Sequence, residues 1–155
     1  MNKRNYISLA NKAANIQINE LKKVKKIFNS SFIEAVDLIL NCKGKVIFAG
    51  IGKSGLIARK ISATFSSVGI PSFFCDPAQA LHGDMGQIEK KDILIIFSYS
   101  GNTSELTNML KYANRYRIKI IGVASKPDST LLKASDIKLL LPKVKEADVT
   151  GMVPT

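Results

Sequence analysis

The first residues with the types and spacing to do chemistry form the run Gly50-Ile51-Gly52-Lys53-Ser54-Gly55, between a short apolar segment and a stretch of helical character. Glycines at such a turn let the backbone approach an anion closely, and a helix start presents unpaired N–H groups at the positive end of its dipole. Lys53 adds a formal charge, and Ser54 is expected to act as both helix cap and ligand. The candidate phosphate-binding residues of this run are Gly52, Ser54 and Gly55.

The same run also matches the G-x-G-x-x-G fingerprint of dinucleotide-binding domains. Asp76, after the second apolar segment, lies about where the ribose-binding acid of such a domain is found. A Walker A loop is excluded, because its earlier glycine would fall at the position of Ile47. On this motif alone, a nicotinamide or flavin site remains open as a rival.

A second polar run, Ser98-Tyr99-Ser100-Gly101-Asn102-Thr103-Ser104-Glu105, follows the third apolar segment and leads into another helical stretch. Hydroxyl groups, a glycine and a helix start make a second cradle for an anion. The structural alternative is a capped helix, because Asn102 and Glu105 have the spacing of a capping box. The surplus of hydroxyls favours a ligand, and two cradles suit a small phosphorylated molecule better than a dinucleotide. The candidate phosphate-binding residues here are Ser98, Ser100, Gly101 and Thr103.

The elements that must position these runs are short apolar segments alternating with amphipathic stretches. The predicted strands are Lys45–Ala49, Ser72–Cys75, Ile93–Phe97, Lys119–Ala124 and Ile137–Leu141. The clearest predicted helices are Ser54–Val68 and Thr103–Arg117. Strands that are apolar on both faces and alternate with helices predict an α/β fold with a parallel sheet covered on both sides.

We therefore predict a doubly wound, five-stranded parallel sheet in the order 2-1-3-4-5, in which strands 1 and 3 flank the point where ligands bind. An N-terminal helical segment over residues 1–43, broken at 29–31, is expected to precede an α/β core over 44–155. We expect the 155 residues to form a single domain.

Composition restricts the class of protein further. The chain is 46% hydrophobic, and no run approaches the roughly 20 apolar residues of a membrane span, so neither disorder nor membrane insertion is expected. The net charge of +11 comes from lysines spread along helix faces without aromatic interleaving, which argues against a nucleic-acid partner and favours anionic metabolites. Cys42 and Cys75 have no metal-ligand spacing, so we predict no metal site. With no secretory signal, the expected location is the cytoplasm.

Together these residues resemble the sugar isomerase (SIS) domain, and specifically the arabinose 5-phosphate isomerase family. The resemblance covers nearly the whole chain from Gly44 onward. The segments that carry it are Gly50–Lys60, Pro77–Gly86, Ser98–Gly101, Lys126–Leu131 and Lys145–Ala147. The family-specific parts are His82-Gly83-Asp84 and Lys145–Ala147, whereas the serine-rich run is common to SIS domains, including phosphosugar-sensing regulators.

The resemblance implies a flavodoxin-like SIS fold and the interconversion of D-ribulose 5-phosphate and D-arabinose 5-phosphate, which supplies the eight-carbon acidic sugar of lipopolysaccharide. It implies no organic cofactor and a homo-oligomer, a dimer or more often a tetramer. A non-catalytic phosphosugar-binding regulator is the alternative, and a dinucleotide-binding domain is a more distant one. Carried over by position, the catalytic residues are Lys53, His82, Glu105 and Glu146. Either glutamate would act as base or proton shuttle, and Lys53 would stabilise the enediolate or the phosphate.

Two departures from the family pattern qualify this expectation. The segment Lys145–Ala147 continues with Asp148-Val149-Thr150, where the family usually has Cys-Pro. Family members also continue beyond the position of Thr155 into a final helix, a His-Pro-Gly-Gly segment and often a pair of CBS modules, none of which this chain contains. The resemblance therefore implies that the phosphate crevice is retained while isomerase activity of this chain is weak or absent.

Overall fold

The computed structural model describes residues 3–148, with side-chain surroundings from residue 5 onward. Two compact units divide the chain. Residues 29–141 form one unit, and the other comprises the chain up to Phe28 and from Pro142. The single-domain assignment and the predicted boundary at residue 44 stay predictions.

Five parallel strands form the sheet of the 29–141 unit. They are β1 (Val46–Gly50), β2 (Ser72–Cys75), β3 (Ile93–Phe97), β4 (Lys119–Ala124) and β5 (Ile137–Leu140). Their order is β2-β1-β3-β4-β5, and every neighbouring pair is parallel. The predicted fold class and strand order are therefore confirmed.

The α-helices are α1 (Lys3–Lys23), α2 (Ser30–Leu40), α3 (Gly52–Ser67), α4 (Leu106–Tyr116) and α5 (Thr130–Ala134). Short 3-10 helices cover Val24–Ile27, Ala80–His82 and Asp84–Gln87. The predicted break near residue 29 is confirmed, because the Asn29 side chain accepts the N–H groups of Ser31 and Phe32 and so begins α2. The other predicted starts were displaced, since α3 begins earlier than Ser54 and α4 later than Thr103.

Successive residues of each strand point to opposite faces of the sheet, and each face carries its own core. On one face Ile47 and Leu94 pack with Leu106 of α4 and Leu131 of α5. On the other face the strand side chains pack with α2 and α3, and the Phe48 ring meets Phe65 edge-on at 5.0 Å. Because both faces are covered, β1 is buried at every position, which explains its uninterrupted apolar sequence.

A buried carboxylate fixes the starts of β1 and β3. The Asp92 side chain is fully buried, and its two oxygens accept the N–H groups of Lys45 and Glu89, each at 2.8 Å. Gly44 lies against it so closely that an added Cβ would come within 2.2 Å of Asp92 Oδ1. These contacts fix the register of the two central strands at the end opposite their carboxyl-terminal loops.

Within residues 3–148, none of the helices combines the length and the apolar character needed to cross a membrane.

Candidate phosphate-binding site

The two polar runs leave the sheet side by side. Gly50, the last residue of β1, is in register with Phe97, the last residue of β3. We call residues 50–55 the lysine turn and residues 98–105 the serine loop. Since β1 and β3 are adjacent and their connections diverge to β2 and β4, both loops begin at the switch point where doubly wound sheets bind ligands.

The lysine turn brings backbone and charge to this edge of the sheet. Gly52 has a φ of +58° with no heavy atom within 4 Å of an added Cβ, so its left-handed backbone faces open space. An added Cβ on Gly55 would approach Gly50 O to 2.6 Å, so α3 packs directly on the end of β1. The Lys53 side chain is exposed, and within residues 3–148 its ammonium group has no hydrogen bond or ion pair.

The two helices that follow β1 and β3 lack a side-chain cap. The residue at the N-cap of α3 is Ile51, and the residue at the N-cap of α4 is Glu105; neither side chain accepts a helix N–H. By contrast, Asn29 caps α2 and Ser129 caps α5. The predicted cap at Ser54 is wrong, because this residue lies inside the first turn of α3. In α3 the first-turn N–H groups of Gly52, Lys53 and Ser54 have no acceptor within residues 3–148, so they can donate to an anion. In α4 the Leu106 and Thr107 N–H groups already donate to Thr103 O and Ser104 O.

Hydroxyl groups inside the serine loop bond to the loop itself. Ser98 is buried, its hydroxyl pairs with Thr103 Oγ1 at 2.8 Å, and it also accepts the Gly101 N–H at 3.1 Å. The Ser98–Thr103 contact uses only one of the two hydroxyl hydrogens, so one remains to donate to a ligand. These residues therefore shape the turn and offer fewer free hydroxyls than the sequence suggested.

The remaining donors of the serine loop are mostly backbone groups. Ser100 Oγ accepts the Asn102 N–H at 3.3 Å and so supports the turn, while its own hydroxyl hydrogen remains to donate to a ligand. In the part of the chain that the structure describes, the N–H groups of Thr103 and Ser104 have no acceptor. They lie directly before α4 and add to the donors of the crevice.

The capping box, which was the structural alternative for the serine loop, does not form. Asn102 Oδ1 accepts the N–H and the hydroxyl of Thr130, at 2.9 and 3.1 Å, instead of a helix N–H of α4. The Glu105 carboxylate accepts the Ser104 hydroxyl at 2.8 Å. Hydrogen bonds from its own backbone N–H and from Ser104 lower the pKa of Glu105, so the exposed carboxylate is ionised and is a weaker proton acceptor than an ordinary glutamate.

His82 lies beyond the end of β2, the neighbour of β1. It ends the 3-10 helix Ala80–His82, which is anchored where buried Ala80 packs in the same core cluster as Leu106 and Met109 of α4. The imidazole is exposed and has no hydrogen-bond or ion-pair partner within the described range of 3–148. Its ring is therefore available to a ligand.

Glu146 belongs to the other compact unit. In that unit α1 and residues 145–148 line a groove of about 470 Å³, and Glu146 is half-buried. Hydrogen bonds from the Lys23 side chain and the Lys145 backbone lower the pKa of Glu20 on α1. Glu20 therefore contacts the segment that carries Glu146, and the role of Glu146 stays a prediction.

Sequence reasoning missed the segment that holds the serine loop in place through hydrogen bonds. Residues 125–131 donate hydrogen bonds to the backbone of the loop, among them Ser125 N–H to Tyr99 O at 2.9 Å and Leu131 N–H to Gly101 O at 2.9 Å. The only sequence signal was the run Lys126–Leu131, which contributed to the family resemblance and to nothing else. No cluster of three or more histidine, cysteine, aspartate or glutamate side chains suited to a metal ion occurs in residues 3–148.

A doubly wound parallel sheet with free backbone donors and an exposed lysine at its switch point is an α/β domain of the kind that binds ligands at this position. The SIS domain family matches residues 39–155, and the chain belongs to that family.

Relatives and solved structures agree with this assignment. A probable arabinose 5-phosphate isomerase of Haemophilus influenzae is 37% identical over 97% of this chain and 45% of its own length. The arabinose 5-phosphate isomerase KdsD of Escherichia coli K12 is 39% identical over 87% of this chain and 41% of its own length. A protein of Escherichia coli CFT073, solved in complex with arabinose 5-phosphate, superimposes with a TM-score of 0.88 at 37% identity, covering 100% of this chain and 82% of that chain. The chain thus spans less than half the length of these two curated relatives.

Proposed function

We propose that this chain is a sugar-phosphate aldose–ketose isomerase domain that interconverts D-ribulose 5-phosphate and D-arabinose 5-phosphate. The product would serve lipopolysaccharide sugar synthesis in the cytoplasm, in a homo-oligomeric enzyme. The observation that carries the proposal is the set of free backbone donors beyond the ends of adjacent strands β1 and β3: the first-turn N–H groups of α3, and the Thr103 and Ser104 N–H groups directly before α4. The SIS family assignment and the names of the relatives support the choice of substrate.

The phosphate would lie between the lysine turn and the serine loop. Backbone donors would be the first-turn N–H groups of α3 and the N–H groups of Thr103 and Ser104. Hydroxyl donors would be Ser54, Ser100 and the free hydrogen of the Ser98–Thr103 pair. Lys53 would add charge at the phosphate or at the developing enediolate. All of these donors except the lysine are held by the sheet or by the serine loop itself, so little ordering is required when the ligand binds.

Isomerisation moves a proton between two neighbouring carbons. A base takes the proton from C2 of the aldose while O1 gains a proton, giving a 1,2-enediol; loss of the O2 proton and protonation of C1 then gives the ketose. Glu146 or Glu105 would be the base, and His82 would exchange protons with the two oxygens. The lowered pKa of Glu105 makes its carboxylate a weaker proton acceptor than an ordinary glutamate, which counts against Glu105 as the base at carbon.

Calorimetric titration with pentose 5-phosphates tests the binding half of the proposal. Replacing Lys53 by Met should weaken D-arabinose 5-phosphate binding about 10- to 100-fold, the worth of one hydrogen bond to a charged group. Lys60→Met is the matched control, because Lys60 lies on the same helix but donates to Thr64 Oγ1 at 2.9 Å. Unphosphorylated arabinose should not bind. Binding of NADH in place of the sugar phosphates would contradict the proposal and favour the dinucleotide alternative.

Proton exchange tests the isomerase half. With D-arabinose 5-phosphate in deuterated water, the enediol mechanism predicts deuterium at C2 of the aldose and at C1 of the ketose, which NMR detects even when turnover is slow. Glu146→Gln should abolish the exchange and preserve binding. Tight binding without any exchange, both in this chain and in one extended through the segment that follows in its relatives, would refute the isomerase assignment and favour the regulatory alternative.

A further inference from the structure

The serine loop is attached to the α5 side of the domain by a dense set of hydrogen bonds. Tyr99 O accepts both the N–H and the hydroxyl of Ser125, at 2.9 and 2.7 Å. Gly101 O accepts the Leu131 N–H at 2.9 Å. Together with Asn102, these contacts bind three positions of the loop to residues 125–131, so the loop position depends on that segment.

Asn102 makes the side-chain part of this attachment. Its Oδ1 atom accepts two donors from one residue, the N–H and the hydroxyl of Thr130, which is the first residue of α5. A carbonyl oxygen has two lone pairs, and both are occupied. Asn102 Oδ1 is therefore directed at α5 and has no capacity left to accept a hydrogen bond from a ligand.

The backbone beside Asn102 is packed too tightly to shift without a change at α5. Gly101 has a φ of +66°, and an added Cβ would lie 2.2 Å from Ser129 Oγ and 3.1 Å from the Ala124 Cβ. Ser129 is itself buried and caps α5. Close packing therefore holds the backbone at Gly101 in one position. The hydrogen bonds between Asn102 and Thr130 hold the next residue of the loop.

We propose that Asn102 is a positioning residue, which ties the serine loop to the start of α5 and thereby aims the Thr103 and Ser104 N–H groups at the bound phosphate. The inference rests on the proposed phosphosugar site. Asn102 precedes both donors directly in the chain, so a shift of Asn102 moves them both. Affinity for the phosphate group is then set in part by a residue that does not touch it.

Three variants test how much the hydrogen bonds between Asn102 and Thr130 contribute to ligand affinity. Asn102→Ala removes the acceptor and should raise the Kd for D-arabinose 5-phosphate about 5- to 20-fold, as one to two ordinary hydrogen bonds are worth. Thr130→Val keeps the N–H donor and removes the hydroxyl, so the expected rise is about threefold. Thr130→Ser restores the hydroxyl and should return the Kd toward the wild-type value. Thr64→Val, which removes an exposed hydroxyl of α3, is the control for loss of a hydroxyl elsewhere.

The Kd is measured well below the midpoint of thermal unfolding, so that loss of stability alone does not change it. If exchange is followed as well, KM should rise with kcat nearly constant, because the reacting groups are untouched. A lower unfolding temperature with an unchanged Kd in Asn102→Ala would overturn the proposal. So would equal effects of Thr130→Val and Thr130→Ser.

Hydrogen–deuterium exchange on the ligand-free protein separates this inference from the proposed function. Asn102→Ala should speed amide exchange in residues 99–105 and leave α3 unchanged. If the wild-type chain binds no sugar phosphate, the proposed function fails and the positioning role fails with it, even if the loop is loosened in the variant. If the wild type binds and Asn102→Ala neither loosens the loop nor weakens binding, only the positioning role is refuted.

Discussion

Replacing Gly101 by Ala is the perturbation whose cost can be worked out most directly from the structure. The residue has a φ of +66°, where an L side chain costs about 1–2 kcal/mol. The new Cβ would also lie 2.2 Å from Ser129 Oγ and 2.4 Å from the Ser129 Cβ, and overpacking of this kind costs about 1–3 kcal/mol. We expect Gly101→Ala to lower the free energy of unfolding by about 2–5 kcal/mol in urea denaturation followed by circular dichroism.

Two other glycines are matched controls that separate the conformational cost of Gly101→Ala from the cost of overpacking. Gly52 and Gly69 also have positive φ, +58° and +87°, but no heavy atom lies within 4 Å of an added Cβ at either. Gly52→Ala and Gly69→Ala should therefore lose only the conformational part, about 1–2 kcal/mol. Equal losses in all three variants would refute the close packing of the serine loop on Ser129.

A double-variant cycle tests the same contact from the other side. Ser129→Gly removes both of the atoms that an alanine at position 101 would meet, although it also removes the cap of α5. The double variant should therefore lose less stability than the sum of the two single variants, by about 1 kcal/mol or more. Simple additivity would show that Gly101 and Ser129 are not in contact.

Three further outcomes follow from the described contacts. Asp92→Ala should cost about 2–6 kcal/mol in urea denaturation, because two N–H groups lose a buried acceptor, whereas Asp92→Asn retains one oxygen and should cost less. Burial, with a smaller contribution from two nearby carboxylates, raises the pKa of the Cys75 thiol to about 11. Ellman's reagent at about pH 8 should therefore label Cys42 first and react with Cys75 only when the protein unfolds. Equal labelling rates for the two thiols would contradict this expectation. Partial burial opposes ionisation of Asp136, but hydrogen bonds from Lys119 and a backbone N–H outweigh it and lower its pKa. Its stabilising effect is present above the unfolded-state pKa and is lost as the pH falls through the lowered folded-state value, so Asp136→Asn should destabilise at about pH 7 and have little effect at about pH 2.

The sheet could be predicted because its signal is local and repeated. Strands buried on both faces are apolar at every position, and the structure places β3 over the predicted range Ile93–Phe97. The order of the strands followed from the alternation with helices and the general rules for doubly wound sheets. Helix starts were less accurate, because Ile51 and Glu105 begin helices without the side-chain caps that mark a start in sequence.

The interior of the serine loop could not be predicted from the sequence. A hydroxyl that binds phosphate and one that bonds a neighbour in its own turn are the same residue type, and Ser98 pairs with Thr103 only five positions away. The spacing of Asn102 and Glu105 allowed a capping box as an alternative, but Asn102 pairs instead with Thr130, 28 residues further along the chain. Local spacing gives no information about such a partner.

The absence of caps at α3 and α4 has a physical consequence for the site. Ile51 is partly buried against the core, and that packing explains an apolar residue where Ser, Asn or Asp would stabilise the helix start by about 1 kcal/mol. As a result, the first-turn N–H groups of α3 have no acceptor within residues 3–148, whereas the Leu106 and Thr107 N–H groups of α4 donate to the backbone of the serine loop. By comparison, the Asn29 side chain accepts two N–H groups at the start of α2, and the Ser129 side chain accepts one at the start of α5. A phosphate placed at the ends of β1 and β3 would supply the missing acceptor. The usual capping side chain is therefore absent at a position where a ligand can take its role.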